Sequence, residues 1–117
     1  MKFSSSLKKN HIFRKLYASK GVANSYFVLY ARPNRSQSNH VGITVSKKLG
    51  HAVVRNRTRR RIREIYRLHE EAFLPGWDIV VVARTRAVDA QFSKLTAAFL
   101  SLAKKSGLLC QEEGILP

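Results

Sequence analysis

The sequence predicts an α+β fold: a single small sandwich in which helices pack on one mostly antiparallel sheet that contains one parallel pair. Three observations lead there. The chain has 117 residues, which suits one domain and leaves little room for another. Hydrophobic residues make up 44% of it, enough for a modest core. Strand-like and helix-like apolar patterns follow one another in the order helix, strand, strand, helix, strand, helix, which is the pattern of one sheet with helices laid on it. The expected ordered core runs over about 7–106, with a tail over 107–117.

Each element has a local reason. Asn10 can cap a helix through residue 19, with Ile12, Phe13, Leu16 and Tyr17 at helical spacing, and Lys20-Gly21 ends it. Residues 25–31 (Ser-Tyr-Phe-Val-Leu-Tyr-Ala) are rich in aromatic and β-branched types and predict a strand. Residues 32–39 hold Pro33, two Asn and two Ser, a loop composition. A second strand is expected over 41–45. The early strands are joined by a loop, so they are expected to be antiparallel neighbours. A long helix over 53–73 follows, stopped by Pro75-Gly76. The apolar run over 77–83 predicts a strand covered on both faces. It is parallel to the strand at 41–45, because a helix separates them. Residues 84–89 read as a loop, and Asp89 as the cap of a last helix to residue 106 with Phe92, Leu95, Phe99 and Leu102 on one face. The end, 107–117, reads as irregular.

The charge is segregated. The chain holds 22 Lys and Arg against 7 Asp and Glu, a net +15. Residues 1–63 contain 16 of the basic residues and no acid, and the first acid is Glu64. Solubility does not require such segregation, and a one-sign field costs stability through self-repulsion. A nucleic-acid backbone is the usual counterpart. An anionic membrane would need a basic amphipathic helix with a free apolar face. No run of 18 apolar residues exists, which excludes a transmembrane helix, and no apolar region follows Met1-Lys2 to suggest a secretory signal. The single cysteine, Cys110, supports neither an internal disulfide nor a structural zinc site. The expectation is a soluble cytoplasmic protein with a polyanionic partner and no membrane.

The densest feature is Arg55-Asn56-Arg57-Thr58-Arg59-Arg60-Arg61-Ile62-Arg63. At about 100° per residue, Val54, Thr58, Ile62, Ile65 and His69 form one narrow stripe for packing. Asn56, Arg59, Arg60, Arg63 and Arg67 fall on the other side, as a row about 5–6 Å apart that can follow phosphates. Arginine suits this because its planar fork grips phosphate bidentately. A solvated face would interleave Glu with Arg, and this one does not. Lys47 and Lys48 add two charges near the helix N-terminus, where amides also favour anions. No Gly-Lys-Ser/Thr nucleotide cradle accompanies them. In the first strand Tyr26, Val28 and Tyr30 alternate with Phe27, Leu29 and Ala31. One set must face the core; Phe13 and Tyr17, one turn apart on the first helix, could close over the other to stack unpaired bases, although aromatic residues at these periods are more often core. The four His are scattered and no carboxylate pair precedes Glu64, so no catalytic or metal-binding residues are expected on the basic face.

Residues 41–64, Val-Gly-Ile-Thr-Val-Ser-Lys-Lys-Leu-Gly-His-Ala-Val-Val-Arg-Asn-Arg-Thr-Arg-Arg-Arg-Ile-Arg-Glu, closely resemble the signature of the bacterial ribonuclease P protein subunit. The resemblance takes in Leu7-Lys8-Lys9-Asn10, Phe13, Gly21 to Asn24 and Phe27 to Tyr30 upstream, and Asp78 to Arg84 downstream. It implies a protein component of the endoribonuclease that removes the 5′ leader of precursor tRNA. The implied partners are the ribonuclease P RNA subunit and precursor tRNA. Catalysis is expected from the RNA with Mg²⁺, and no cofactor from the protein alone. It places the RNA-facing helix on Arg55, Asn56, Arg57, Arg59, Arg60 and Arg63, and a leader-binding cleft on Phe13, Tyr17 and Tyr30. It also implies a left-handed crossover between parallel strands, against the usual right-handed rule. Two residues depart from the family pattern. Thr58 replaces an aliphatic residue, which should loosen packing slightly, and Arg61 replaces an apolar one, which should widen the basic face. The alternative function is a ribosomal or general RNA-chaperone protein using the same charged surface.

Overall fold

The computed structural model describes residues 4–6 and 21–110. The helix expected over 10–19, with Phe13 and Tyr17, lies outside the described residues, as does 111–117. Five strands form one sheet: β1 (Ser4–Ser6), β2 (Val22–Ala23), β3 (Phe27–Pro33), β4 (Asn39–Thr44) and β5 (Trp77–Ala83), in the spatial order β1-β4-β5-β3-β2. The helices are α1 (Ala52–His69), the single turn α2 (Thr85–Val88) and α3 (Phe92–Lys105). The α+β class holds, and the expected parallel pair is β4 with β5, registered His40 to Asp78 and Thr44 to Val82. The three-residue β1 adds a second parallel contact with β4. The early strands are not neighbours as expected: β5 lies between β3 and β4, antiparallel to the first and parallel to the second. Its apolar run over residues 79–83 explains the central place, since Ile79, Val80 and Val81 are buried on both faces.

Register sorts the side chains. Phe27, Leu29, Val41, Ile79, Val81 and Ala83 share one face and form the core with Ile62, Ile65 and Tyr66 of α1 and Leu95, Phe99 and Leu102 of α3. Aromatic contacts tie the layers: Tyr66 to Phe73 at 4.9 Å, Phe73 to Phe99 at 5.8 Å and Phe27 to Phe99 at 6.1 Å between centroids. The opposite face carries Val28, Tyr30 and Arg32 of β3, Asp78, Val80 and Val82 of β5, and His40, Gly42 and Thr44 of β4.

The strands expected over 25–31 and 41–45 run over Phe27–Pro33 and Asn39–Thr44, residues 84–89, expected as a loop, hold the helical turn α2, and three further differences have local reasons. α1 ends at His69, and a 3-10 turn over Glu70–Ala72 leads to extended backbone at Phe73, whose ring turns into the core. Asp89 closes α2 rather than capping α3, whose cap is Gln91 with extended backbone (φ −65°, ψ 148°). Residues 107–110, expected to be irregular, return to the end of α1. Leu108 is fully buried, Leu109 bridges Phe73, and Leu74 N donates to Leu108 O at 2.7 Å.

Candidate nucleic-acid interface

The interface is built on α1. Thr58, Ile62, Ile65 and Tyr66 are buried against the sheet, and Val54 and His69 are half-buried at the ends of the same stripe. The apolar face is wider than the predicted stripe because Tyr66, one turn beyond Ile62, belongs to it. Thr58 satisfies its buried hydroxyl locally, Oγ1 donating to Val54 O at 2.9 Å.

With that face fixed inward, the arginines have to face out. Asn56, Arg57, Arg60, Arg63 and Arg67 are exposed, and Arg55 and Arg59 are half-buried along the flanks. Arg59 Nη1 donates to Asn56 Oδ1 at 3.0 Å, which holds the two as a preformed pair of polar heads. Glu64 is the one acid in the helix, and Arg67 clamps it with Nε donating to Oε1 at 2.9 Å and Nη2 to Oε2 at 2.5 Å. That hydrogen bonding, helped by the Arg67 charge, lowers the Glu64 carboxyl below its usual range, and the same contact raises the Arg67 guanidinium.

Arg61 does not widen this face. Its side chain is half-buried and Nη2 donates to Ala90 O, tying α1 to the α2–α3 junction. Burial first, and then repulsion from Arg57, lowers its guanidinium pKa. A position on the helix flank decides this, and sequence spacing alone does not reveal that a carbonyl waits there.

Lys47 and Lys48 are exposed on a 3-10 turn over Lys47–Leu49, whose first turn is capped by Ser46 Oγ accepting from Lys48 N at 3.2 Å. Gly50 follows with φ 146°, and a Cβ there would meet Val54 Cγ1 at 3.0 Å, so the turn leads tightly into α1. The two lysines therefore precede the arginine row on the same connection.

The third group lies on the opposite face of the sheet. Tyr30 is half-buried there beside the fully buried Val80. Gly21 lies against its ring, where an added Cβ would meet Cε1 at 2.7 Å. The alternation left open by the sequence is resolved: Phe27 and Leu29 are core, and Val28 and Tyr30 face away from it. Arg32, Asp78 and His40 form a row at the end of this face, with Asp78 nearly buried and 2.9 Å from His40 Nδ1. Sequence reading passed over Asp78 and His40 as site members because 38 residues separate them.

Among the described residues no three His, Cys, Asp or Glu gather where a metal ion would sit, and no helix is long and apolar enough to cross a membrane. The arrangement offers cationic forks, an aromatic ring and few acceptors, which is the chemistry of holding a polyanion.

Comparison with known proteins agrees with this geometry. The Ribonuclease P family profile matches residues 1–107. A protein of Alkaliphilus oremlandii named ribonuclease P protein component is 43% identical over 110 residues, covering 93% of this chain and 96% of its own length. One of Clostridioides difficile with the same name is 45% identical over 104 residues, covering 87% and 91%. The structure of the Staphylococcus aureus RNase P protein is similar with a TM-score of 0.82 and 36% identity, over 90% of this chain and 97% of that one. The RNase P protein from Thermotoga maritima gives 0.79 and 30%, over 86% and 96%. Sequence and fold agree along almost the whole length, and the chain belongs to the ribonuclease P protein family.

Proposed function

We propose that the chain binds the catalytic RNA of a bacterial ribonuclease P through α1 and holds the 5′ leader of precursor tRNA on the second face of its sheet. Family membership makes it a component of an RNA-cleaving ribonucleoprotein. The observation that carries the finer reading is the outward row of Asn56, Arg57, Arg60, Arg63 and Arg67, with Glu64 as its only acid and Lys47-Lys48 at its approach. Such a row neutralises successive phosphates and releases their counterions. Tyr30 offers a ring for an unpaired base of the leader, and in this reading Phe13 and Tyr17 complete that cleft.

The protein's part is binding and orientation. It holds the leader so that the scissile phosphate sits at the RNA's reactive centre, and its cations screen repulsion between the two RNAs. In this scheme Mg²⁺ is held by the RNA, as the family resemblance implies. The reaction takes place in the cytoplasm, with precursor tRNA as substrate. The test is cleavage of precursor tRNA by a cognate ribonuclease P RNA at low Mg²⁺, with and without the chain. Restored cleavage with the chain, and loss of that gain in Arg60→Ala, supports the proposal. Unchanged assembly, leader affinity and rate in Arg60→Ala would refute the role of α1.

A further inference from the structure

We infer that His40 is a specificity-determining contact that presents an unprotonated ring nitrogen to the ribose 2′-hydroxyl of a leader nucleotide, and so favours RNA over DNA at that position. The inference rests on the proposed passage of the leader over the second sheet face.

Hydrogen-bond accounting around His40 fixes which nitrogen carries the proton. Asn34 Oδ1 accepts from Ser36 N at 2.8 Å, which sets the orientation of its amide. Both hydrogens of Asn34 Nδ2 are then used, one donated to Ser38 O at 3.0 Å and the other to Asp78 Oδ1 at 3.0 Å. None remains for His40 Nδ1, although Nδ2 is 3.4 Å away. The 2.9 Å contact from Nδ1 to Asp78 Oδ1 therefore needs the hydrogen on Nδ1, because a carboxylate only accepts. In the neutral ring the other nitrogen, Nε2, is then an acceptor. It has no partner among the described residues and is not a buried atom, and the side chain is 35% exposed.

This acceptor ends a row of polar groups. Arg32 flanks Asp78 on β3, so the row across the face reads guanidinium, carboxylate, imidazole, and Asp78 is itself nearly buried. Tyr30 lies two strands and two residues away from His40 on the same face, about 12 Å by strand spacing and rise. A strand of RNA stacked on Tyr30 therefore passes within reach of His40. A phosphate has no hydrogen to give an acceptor. The 2′-hydroxyl is the donor common to every ribonucleotide, and it is the group that separates RNA from DNA. The Asp78 carboxylate acts as a positioning group, fixing ring orientation and tautomer as carboxylates do for other working histidines.

The experiment uses the holoenzyme reconstituted with a cognate RNA. Precursor tRNAs carry a single 2′-deoxy nucleotide at successive leader positions, and their affinities are measured. One position should bind about fivefold more weakly when deoxy, the value of one ordinary hydrogen bond. His40→Ala should bind the all-ribose substrate weaker by that factor and be indifferent to the same deoxy substitution. Asp78→Ala removes the oxygen that accepts from Nδ1 and should weaken the discrimination, and Asp78→Asn, whose Oδ1 can still accept from Asn34 Nδ2 and His40 Nδ1, should restore it. His40→Gln, which retains an acceptor, should recover part of it, and thermal melting of each variant reports folding separately. No deoxy-sensitive position in the wild type, persistence in His40→Ala, or dependence on the base rather than the sugar would each overturn the inference. If a leaderless tRNA binds as tightly as the precursor, the leader reading itself fails; if the leader contributes and no deoxy effect is seen, only the role of His40 does.

Discussion

Glu64 decides how much of the arginine row is free to meet RNA. Arg67 holds it through two hydrogen bonds, whereas Arg60 and Arg63, though close to Glu64 on the helix, are exposed and make no ion pair among the described residues. Arg60→Ala should therefore lower the slope of log affinity against log salt by about 0.7–0.9, one phosphate contact. Arg67→Ala should lower it less, because Arg67 gives up Glu64 to reach a phosphate. Glu64→Gln releases Arg67 and should raise both affinity and slope; a salt titration of RNA binding checks all three. The pH sign follows from the shift. The Glu64 carboxyl is lowered in the folded chain, chiefly by the Arg67 hydrogen bonding. The pair's contribution is thus complete above the ordinary carboxylate range and lost only as pH falls through the lowered value, so Arg67 stays clamped at neutrality. Thr58 makes a separate point. Its hydroxyl is buried but bonded to Val54 O, a back-bond that slightly disfavours the helix. Thr58→Val should be neutral or raise stability by up to about 1 kcal/mol, read as a melting shift, and leave RNA affinity unchanged.

Whole elements show what a linear sequence can and cannot carry. The period of α1 was legible because its inward stripe and outward arginines are set by local geometry. The strands were legible from composition. The insertion of β5 between β3 and β4 was not, because pairing partners are chosen by burial across the sheet and β5 had to be central. Asn39 is the sharpest case. Its surroundings read as loop, yet it is fully buried at the start of β4. Its amide donates to Tyr66 Oη and to Leu74 O, both at 3.1 Å, and accepts from Trp77 N at 2.8 Å. One side chain thus joins α1, the turn after it and β5, through contacts 27 to 38 residues distant. Asn39→Ala leaves three polar groups without this partner and should cost about 2–4 kcal/mol, at 1–3 for each group that water cannot reach. The fall should appear as a lower denaturant midpoint with unchanged slope, since the compactness of either end state need not alter.

At the scale of the molecule, the sheet separates the two proposed binding surfaces. α1 packs on one face through the same core as Phe27 and Leu29, and turns its arginines away from it; Tyr30 and the Arg32–Asp78–His40 row lie on the other. The charge excess was legible in the sequence, because charge is a property of composition, but which side chains face outward was only partly so, and the second face was only hinted at, because facing requires register. Arg61 was misplaced for the same reason: its direction depends on Ala90 O across the helix packing, which no spacing rule contains. Two faces suit two partners, a large RNA on the arginines and a single strand on the aromatic side. Residues so placed share no partner, and substitutions at such distance combine additively to within about 0.5 kcal/mol. Tyr30→Ala should therefore weaken precursors with long leaders more than those with minimal ones, while Arg60→Ala weakens both alike. The double variant should show the product of the two losses for the long leader. A loss much smaller than that product, measured as holoenzyme affinity for precursor tRNA, would mean that one RNA segment bridges both surfaces and that the division of labour across the sheet is wrong.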